Sequence, residues 1–166
     1  MKKLTLLAAT ALVAATVPSV ASAQNGGTDK TAKSTFQGPV KIVKGGAPKA
    51  TLKVKYNCAK GETLWISAKQ VADRSKDKRL TKEGSSSISA SWLQSHRNPI
   101  KCDGKKHTKT FSMDVVENQF PPESPVQPPK VALKKGWAYV QFCITAPGTG
   151  EEGELTHSKS TFVKVK

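Results

Sequence analysis

Cys58, Cys102 and Cys143 are the thiols of this 166-residue sequence, and their odd number sets the first question. In an oxidising compartment two of the three pair and one is left over. Cys58 precedes Ala59-Lys60-Gly61, and Cys102 precedes Asp103-Gly104, so both stand where a strand gives way to a turn. Cys143 sits inside the apolar run Val140-Gln141-Phe142-Cys143-Ile144. The three single-bridge pairings stay open; Cys58–Cys102 is favoured and Cys58–Cys143 is the runner-up. A bridge closing a loop of about 45 residues stabilises by roughly 4 kcal/mol in the chain-entropy picture.

Catalytic chemistry finds little purchase. His96, His107 and His157 are the imidazoles. His107 lies in a basic stretch beside Lys105, Lys106 and Lys109, and no Cys/His spacing for zinc is read around any of the three. Ser85-Ser86-Ser87 reads as a polar strand edge, and no G-x-S-x-G elbow is present. Cys143 among apolar neighbours reads as an inert buried thiol. Asp103 and Asp114 are the acids near the Cys102 turn, and no carboxylate pair suits glycoside hydrolysis. The expectation is a protein without enzymatic activity, catalytic residues, metal or cofactor.

Binding chemistry is better supplied. The chain holds 27 Lys and Arg against 12 Asp and Glu, a net charge of +15. Arg74, Arg79 and Arg97 are its arginines. Bidentate phosphate or base readout prefers Arg, so specific nucleic-acid recognition is not expected. Anionic envelope or extracellular polymers are the expected partners. Two basic clusters are the candidate polyanion site: Arg74, Lys76, Lys78, Arg79 and Lys82, then Lys101, Lys105, Lys106 and Lys109. Trp65, Trp137 and Tyr139 lie on the opposite parity from the aliphatic residues of their strands. Sharing an exposed face, they would form a flat aromatic surface suited to sugar rings.

These residues need elements to hold them. Lys2 and Lys3, an apolar run of 14 residues over 4–17, Pro18 and Ala21-Ser22-Ala23 read as a cleavable signal peptide over 1–23. The run is short of the roughly 20 residues a spanning helix needs. No twin Arg precedes it and no Cys follows Ala23, which points to general secretion without a lipid anchor. No transmembrane segment is expected in the mature chain, which is released or held at the cell surface by charge. Losing Lys2 and Lys3 from the 27 basic residues leaves 25 against 12 acidic ones, a net charge of +13. Residues 24–34 are polar and Gly-rich and read as a disordered leader.

Residues 35–166 read as one domain of about seven strands. Residues 36–43 form the first. In residues 50–58, Leu52, Val54, Tyr56 and Cys58 alternate with Lys53, Lys55 and Asn57, one face dry and one wet. Residues 63–71 set Leu64, Ile66 and Ala68 against Trp65, Ser67 and Lys69. Residues 85–93 place Ile88, Ala90 and Trp92 together, and 107–116 do so with Phe111, Met113 and Val115. Residues 137–146 are apolar on both faces and read as central. Residues 158–166 turn Val163 and Val165 inward. Residues 68–79 hold a short helical turn at most. Five prolines in residues 120–130 make an ordered crossing loop, and 148–154 an acidic hairpin tip.

Even strand spacing and one bridge predict an all-β, antiparallel, two-sheet immunoglobulin-like sandwich. In that layout a Cys58–Cys143 bridge would resemble the inter-sheet bridge of immunoglobulins. L-x-V-x-Y-x-C-x-x-G at residues 52–61, a strand ending in Gln70, C-D-G-x-x-H at 102–107 and G-W-A-Y-V at 136–140 carry a further resemblance. Over about residues 38–166 the chain resembles small secreted actinobacterial immunoglobulin-like proteins of uncharacterised function. The resemblance implies a sandwich and carries over no catalytic residue. The functional expectation is a secreted, non-enzymatic binding or structural module that meets anionic polymers through Lys-rich loops. The alternative is an inhibitor or effector that presents residues 120–130 to a protein target.

Overall fold

The computed structural model describes residues 32–82, 84–95, 100–115, 131–147 and 154–166. Eight strands occur among them: β1 (Lys33–Phe36), β2 (Lys41–Val43), β3 (Lys49–Asn57), β4 (Thr63–Gln70), β5 (Ser91–Ser95), β6 (His107–Val115), β7 (Gly136–Thr145) and β8 (Leu155–Val165). They form one antiparallel sheet in the order β1-β3-β6-β5-β4-β7-β8, with β2 also paired to β3. Its two ends meet at Val40, which pairs in parallel with Val165. Val40 N–H donates to the Lys164 carbonyl (2.9 Å), and Lys166 N–H donates to that of Val40 (3.0 Å). The sheet is thereby nearly closed into a barrel. Two separate facing sheets were expected; β5 instead hydrogen-bonds to β4 on one side and β6 on the other and makes the sheet continuous.

The alternating sequences give the inside of the barrel. Ala50, Leu52, Val54 and Tyr56 of β3, Leu64, Ile66 and Ala68 of β4, and Phe111 and Met113 of β6 are all buried. Val163 and Val165 of β8 join them, and β7 is covered on both sides over most of its length. Phe111 meets Tyr56 and Phe142 at ring-centroid distances of 5.8 and 5.7 Å, the second edge-on. Each such side chain contributes about 1.5–3 kcal/mol by leaving water.

Three expectations about elements change. The first strand is two, because Gly38-Pro39 interrupts it: Gly38 has φ +92° and Pro39 has no N–H to give. The break lets Val40 leave β3 for β8. Lys33 and Ser34 belong to β1, although composition groups them with the leader. Residues 85–93 are not one strand: Ser85–Ile88 form a 3-10 turn and β5 begins at Ser91. There the Ser87 hydroxyl donates to the Gly84 carbonyl and that of Ser89 to the Ser85 carbonyl, local bonds that compete with a ladder. The register shifts too, so Leu93 faces the core and Trp92 the outside. The short helical turn is a 3-10 turn at Lys78–Thr81, capped by Asp77.

Candidate polyanion-binding face

The outside of β1, β3 and β6 is built by the residues that alternate with the core. Across this face Lys33 stands opposite Asn57, and Thr35, Lys55 and Thr108 form a row. Lys53 then faces Thr110, and Lys41 of β2 faces Thr51 and Ser112. Lys33, Lys41, Lys53 and Lys55 are exposed. Lys53 and Lys55 project about 7 Å apart along one strand. The carboxylate on this face is Asp114, which pairs with Lys49 at 3.3 Å at its far end. Sequence reasoning marked Lys53 and Lys55 as a wet face and passed over them as a site. The signal was their i, i+2 spacing between buried residues.

The Lys101–Lys109 cluster borders the same face. The Cys58–Cys102 disulfide ties its loop to the end of β3, with Cα atoms 4.8 Å apart. Gly104 N–H donates to the Cys58 carbonyl (2.8 Å) and reinforces the tie. Asp103 organises the loop: it accepts from Lys105 N–H (3.0 Å), lies 2.7 Å from His107 Nε2 and 3.7 Å from Lys101 Nζ. His107 and these donors hold the Asp103 pKa down to about 2. Asp103, noted from the sequence as an acid near the Cys102 turn, stands four residues before His107 and bonds its ring. Lys109 packs over the Phe111 ring at 5.5 Å. Lys106 instead lines a depression of about 190 Å³ with Lys33 and Lys55.

The other cluster is elsewhere. Residues 74–82 follow the end of β4, whereas the disulfide loop lies at its start, about 24 Å away along an eight-residue strand. Arg79 is taken up by Asp77, at 2.6 Å in its closest contact. Lys76 Nζ stands 3.8 Å from the Trp137 ring centroid. Arg74 accepts at its carbonyl from Trp137 N–H (2.9 Å). That approach requires glycine at 136, because a Cβ there would lie 2.5 Å from that of Arg74. Arg74, Lys78 and Lys82 are exposed, but the two clusters do not converge.

Trp65, Trp137 and Tyr139 do share one side of the sheet, as their parity requires, and they do not make an open platform. Tyr139 is buried by Val71 and Leu80 beside Phe162. Lys76 and Lys164 lie over Trp137. Trp65 Nε1 donates to Gln94 Oε1 (2.9 Å) and is opposite Cys143 in register. Sequence reasoning also missed what this side encloses. Lys69 is only 9% exposed. Its Nζ donates to Ser85 Oγ (3.2 Å) and lies 4.7 Å from the Trp92 ring centroid. Burial lowers its pKa. Gln70, 2% exposed, gives both amide hydrogens to the Lys134 and Trp137 carbonyls and accepts from Lys134 N–H, which fixes the approach to β7.

Cys143 remains a buried free thiol, with its pKa raised by burial. It shares the Trp65 side of the sheet, while Cys58 faces the core, so those two cannot bridge. Among the described residues, Cys58, Glu62 and Cys102 alone group as metal-capable side chains. Both thiols are spent in the disulfide, and Glu62 accepts from Ala59 N–H (2.6 Å). His157 lies 2.8 Å from Ser34 Oγ where β8 approaches β1. Burial, aided by Lys159 and opposed by Glu62, lowers its pKa. Residues 1–23, most of 24–34, His96, Arg97, residues 120–130 and nearly all of the 148–154 tip lie outside the described residues. No helix among the described residues is long and apolar enough to cross a membrane. No protein-family model, curated protein or solved structure matches the chain.

Proposed function

We propose that this protein is a secreted, non-enzymatic binding module for anionic envelope or extracellular polymers, held to them by charge. One observation carries the reading. The outer face of β1–β3–β6 presents Lys33, Lys41, Lys53 and Lys55 between hydroxyl side chains, and the disulfide brings Lys106 to its border. Secretion rests on the 1–23 sequence and agrees with the oxidised cysteines. The sheet face, more than the 74–82 loop, is the docking surface.

An immunoglobulin-like layout fits this reading. The succession β1-β3-β6-β5 followed by β4-β7-β8 is the ABED and CFG succession of constant-type immunoglobulin domains. The β5–β4 pairing is the departure from two separate sheets. The kinship to small secreted actinobacterial proteins of this type is part of the same proposal and rests on the residue motifs.

The test is binding to a panel of immobilised acidic polysaccharides and polyphosphate across a salt series. Log affinity should fall linearly with log salt concentration as counterions are released. Lys53→Glu with Lys55→Glu should abolish retention, whereas Lys78→Glu with Lys82→Glu should leave most of it. No retention of the unaltered protein at low salt refutes the reading.

A further inference from the structure

We infer that the depression at the β1–β3 border is a seat for one tetrahedral oxyanion, a phosphate or sulfate group carried on a polymer. This rests on the polyanion reading and names the group that the face receives. Lys33, Lys55 and Lys106 line the hollow together with Thr35, Asn57 and Tyr56, and none of its lining residues is acidic. The three lysines come from three separate elements: β1, β3 and the disulfide loop. Thr35 adds a hydroxyl from the same row as Lys55.

Size and donor type narrow the guest. Pockets for drug-sized ligands run to about 300–1,000 Å³. A hollow of about 190 Å³ takes a small charged group and a few waters. Lysine binds phosphate as a point charge, whereas the fork of arginine grips carboxylate and phosphate alike in a fixed plane. No arginine lines the hollow. Compact donors arriving from several directions suit oxygens arranged tetrahedrally around a central atom.

Several other groups of the neighbourhood have partners of their own. Ser34 Oγ is engaged by His157, and Tyr56 interacts with the Lys101 backbone. Asp103, the nearest loop acid, is bonded to His107 and Lys101. The Cys58–Cys102 bridge fixes the loop from which Lys106 reaches the hollow. Reduction should therefore loosen the seat without touching Lys33 or Lys55.

The experiment measures binding of polyphosphate, dextran sulfate and poly-glutamate of matched charge at one low ionic strength. Polyphosphate, dextran sulfate or both should bind about tenfold tighter than poly-glutamate, and the preferred polymer identifies the group. Lys55→Gln with Lys106→Gln should remove that preference and lower the salt slope by about one per lysine. Lys76→Gln with Lys78→Gln, at the other end of the barrel, should leave it intact. Equal binding of all three polymers, or a preference that survives Lys55→Gln with Lys106→Gln, overturns the oxyanion seat while leaving general polyanion binding standing. Absence of binding to every polymer removes both.

Discussion

Lys55 and Lys69 project from the outer side of the same barrel, on strands that each alternate apolar and polar residues, and they meet opposite surroundings. Lys55 is exposed between Thr35 and Thr108. Lys69 is enclosed by Trp92 and Ser85, and its charge is disfavoured there. The difference comes from what lies over the strand. After β4 the chain turns back through residues 71–90, and Val71 and Leu80 close over Tyr139 beside the row that holds Lys69. Nothing among the described residues crosses the β1–β3–β6 face in that way. The same alternation therefore yields an exposed lysine-rich face on one half of the barrel and a buried polar layer on the other.

Removing what fixes each half shows whether the contrast holds. The largest effect is expected from Cys58→Ala with Cys102→Ala, which should lower stability by about 4 kcal/mol in urea unfolding and release the Lys106 loop. Next, Leu80→Ala, at a site 1% exposed, should cost about 2–4 kcal/mol. It should also hydrate Lys69, seen as a rise of its pKa by NMR toward the ordinary lysine range. An unchanged Lys69 would mean that Leu80 does not maintain its burial.

Lys69→Met comes third, with a change of about 0–2 kcal/mol in the stabilising direction at neutral pH, because it replaces a buried charge that has no carboxylate partner among the described residues. The pH dependence separates this from simple repacking. Lys69 has a lower pKa folded than unfolded, so at neutral pH the folded state carries the cost of its charge. Stability should rise as pH climbs through the folded pKa toward the unfolded value of about 10.4. Lys69→Met should lose that rise in pH-dependent unfolding. The smallest effect on stability belongs to Lys53→Glu with Lys55→Glu, within about 0.5 kcal/mol by thermal melting. A large loss there would make the wet face a structural element.

Much of the barrel was legible in the sequence because strands with one dry face write their burial as a period of two. Leu52, Val54 and Tyr56, or Phe111 and Met113, fall where alternation puts them. The bridge was legible because Cys58 and Cys102 sit beside turns, while Cys143 interrupts an apolar strand. Closure was not legible, since it depends on Val40 leaving one strand for another, a long-range pairing without local periodicity. The serine run misled because serine hydroxyls satisfy nearby carbonyls as readily as they line a strand edge. Charge was read as loops, since consecutive lysines stand out in a sequence. Lys33, Lys55 and Lys106 are scattered along the chain, and only strand register and the disulfide bring them together.

Val40 has one more consequence. Open β-sheets expose unpaired strand edges, and those edges are where sheets add strands from other chains and grow into fibrils. By hydrogen-bonding to Lys164 and Lys166 while β2 pairs with β3, the chain turns its first and last strands toward each other. Two borders that would otherwise stay open are joined there over a short stretch. Along that stretch the backbone groups that could receive a strand from another chain are already paired.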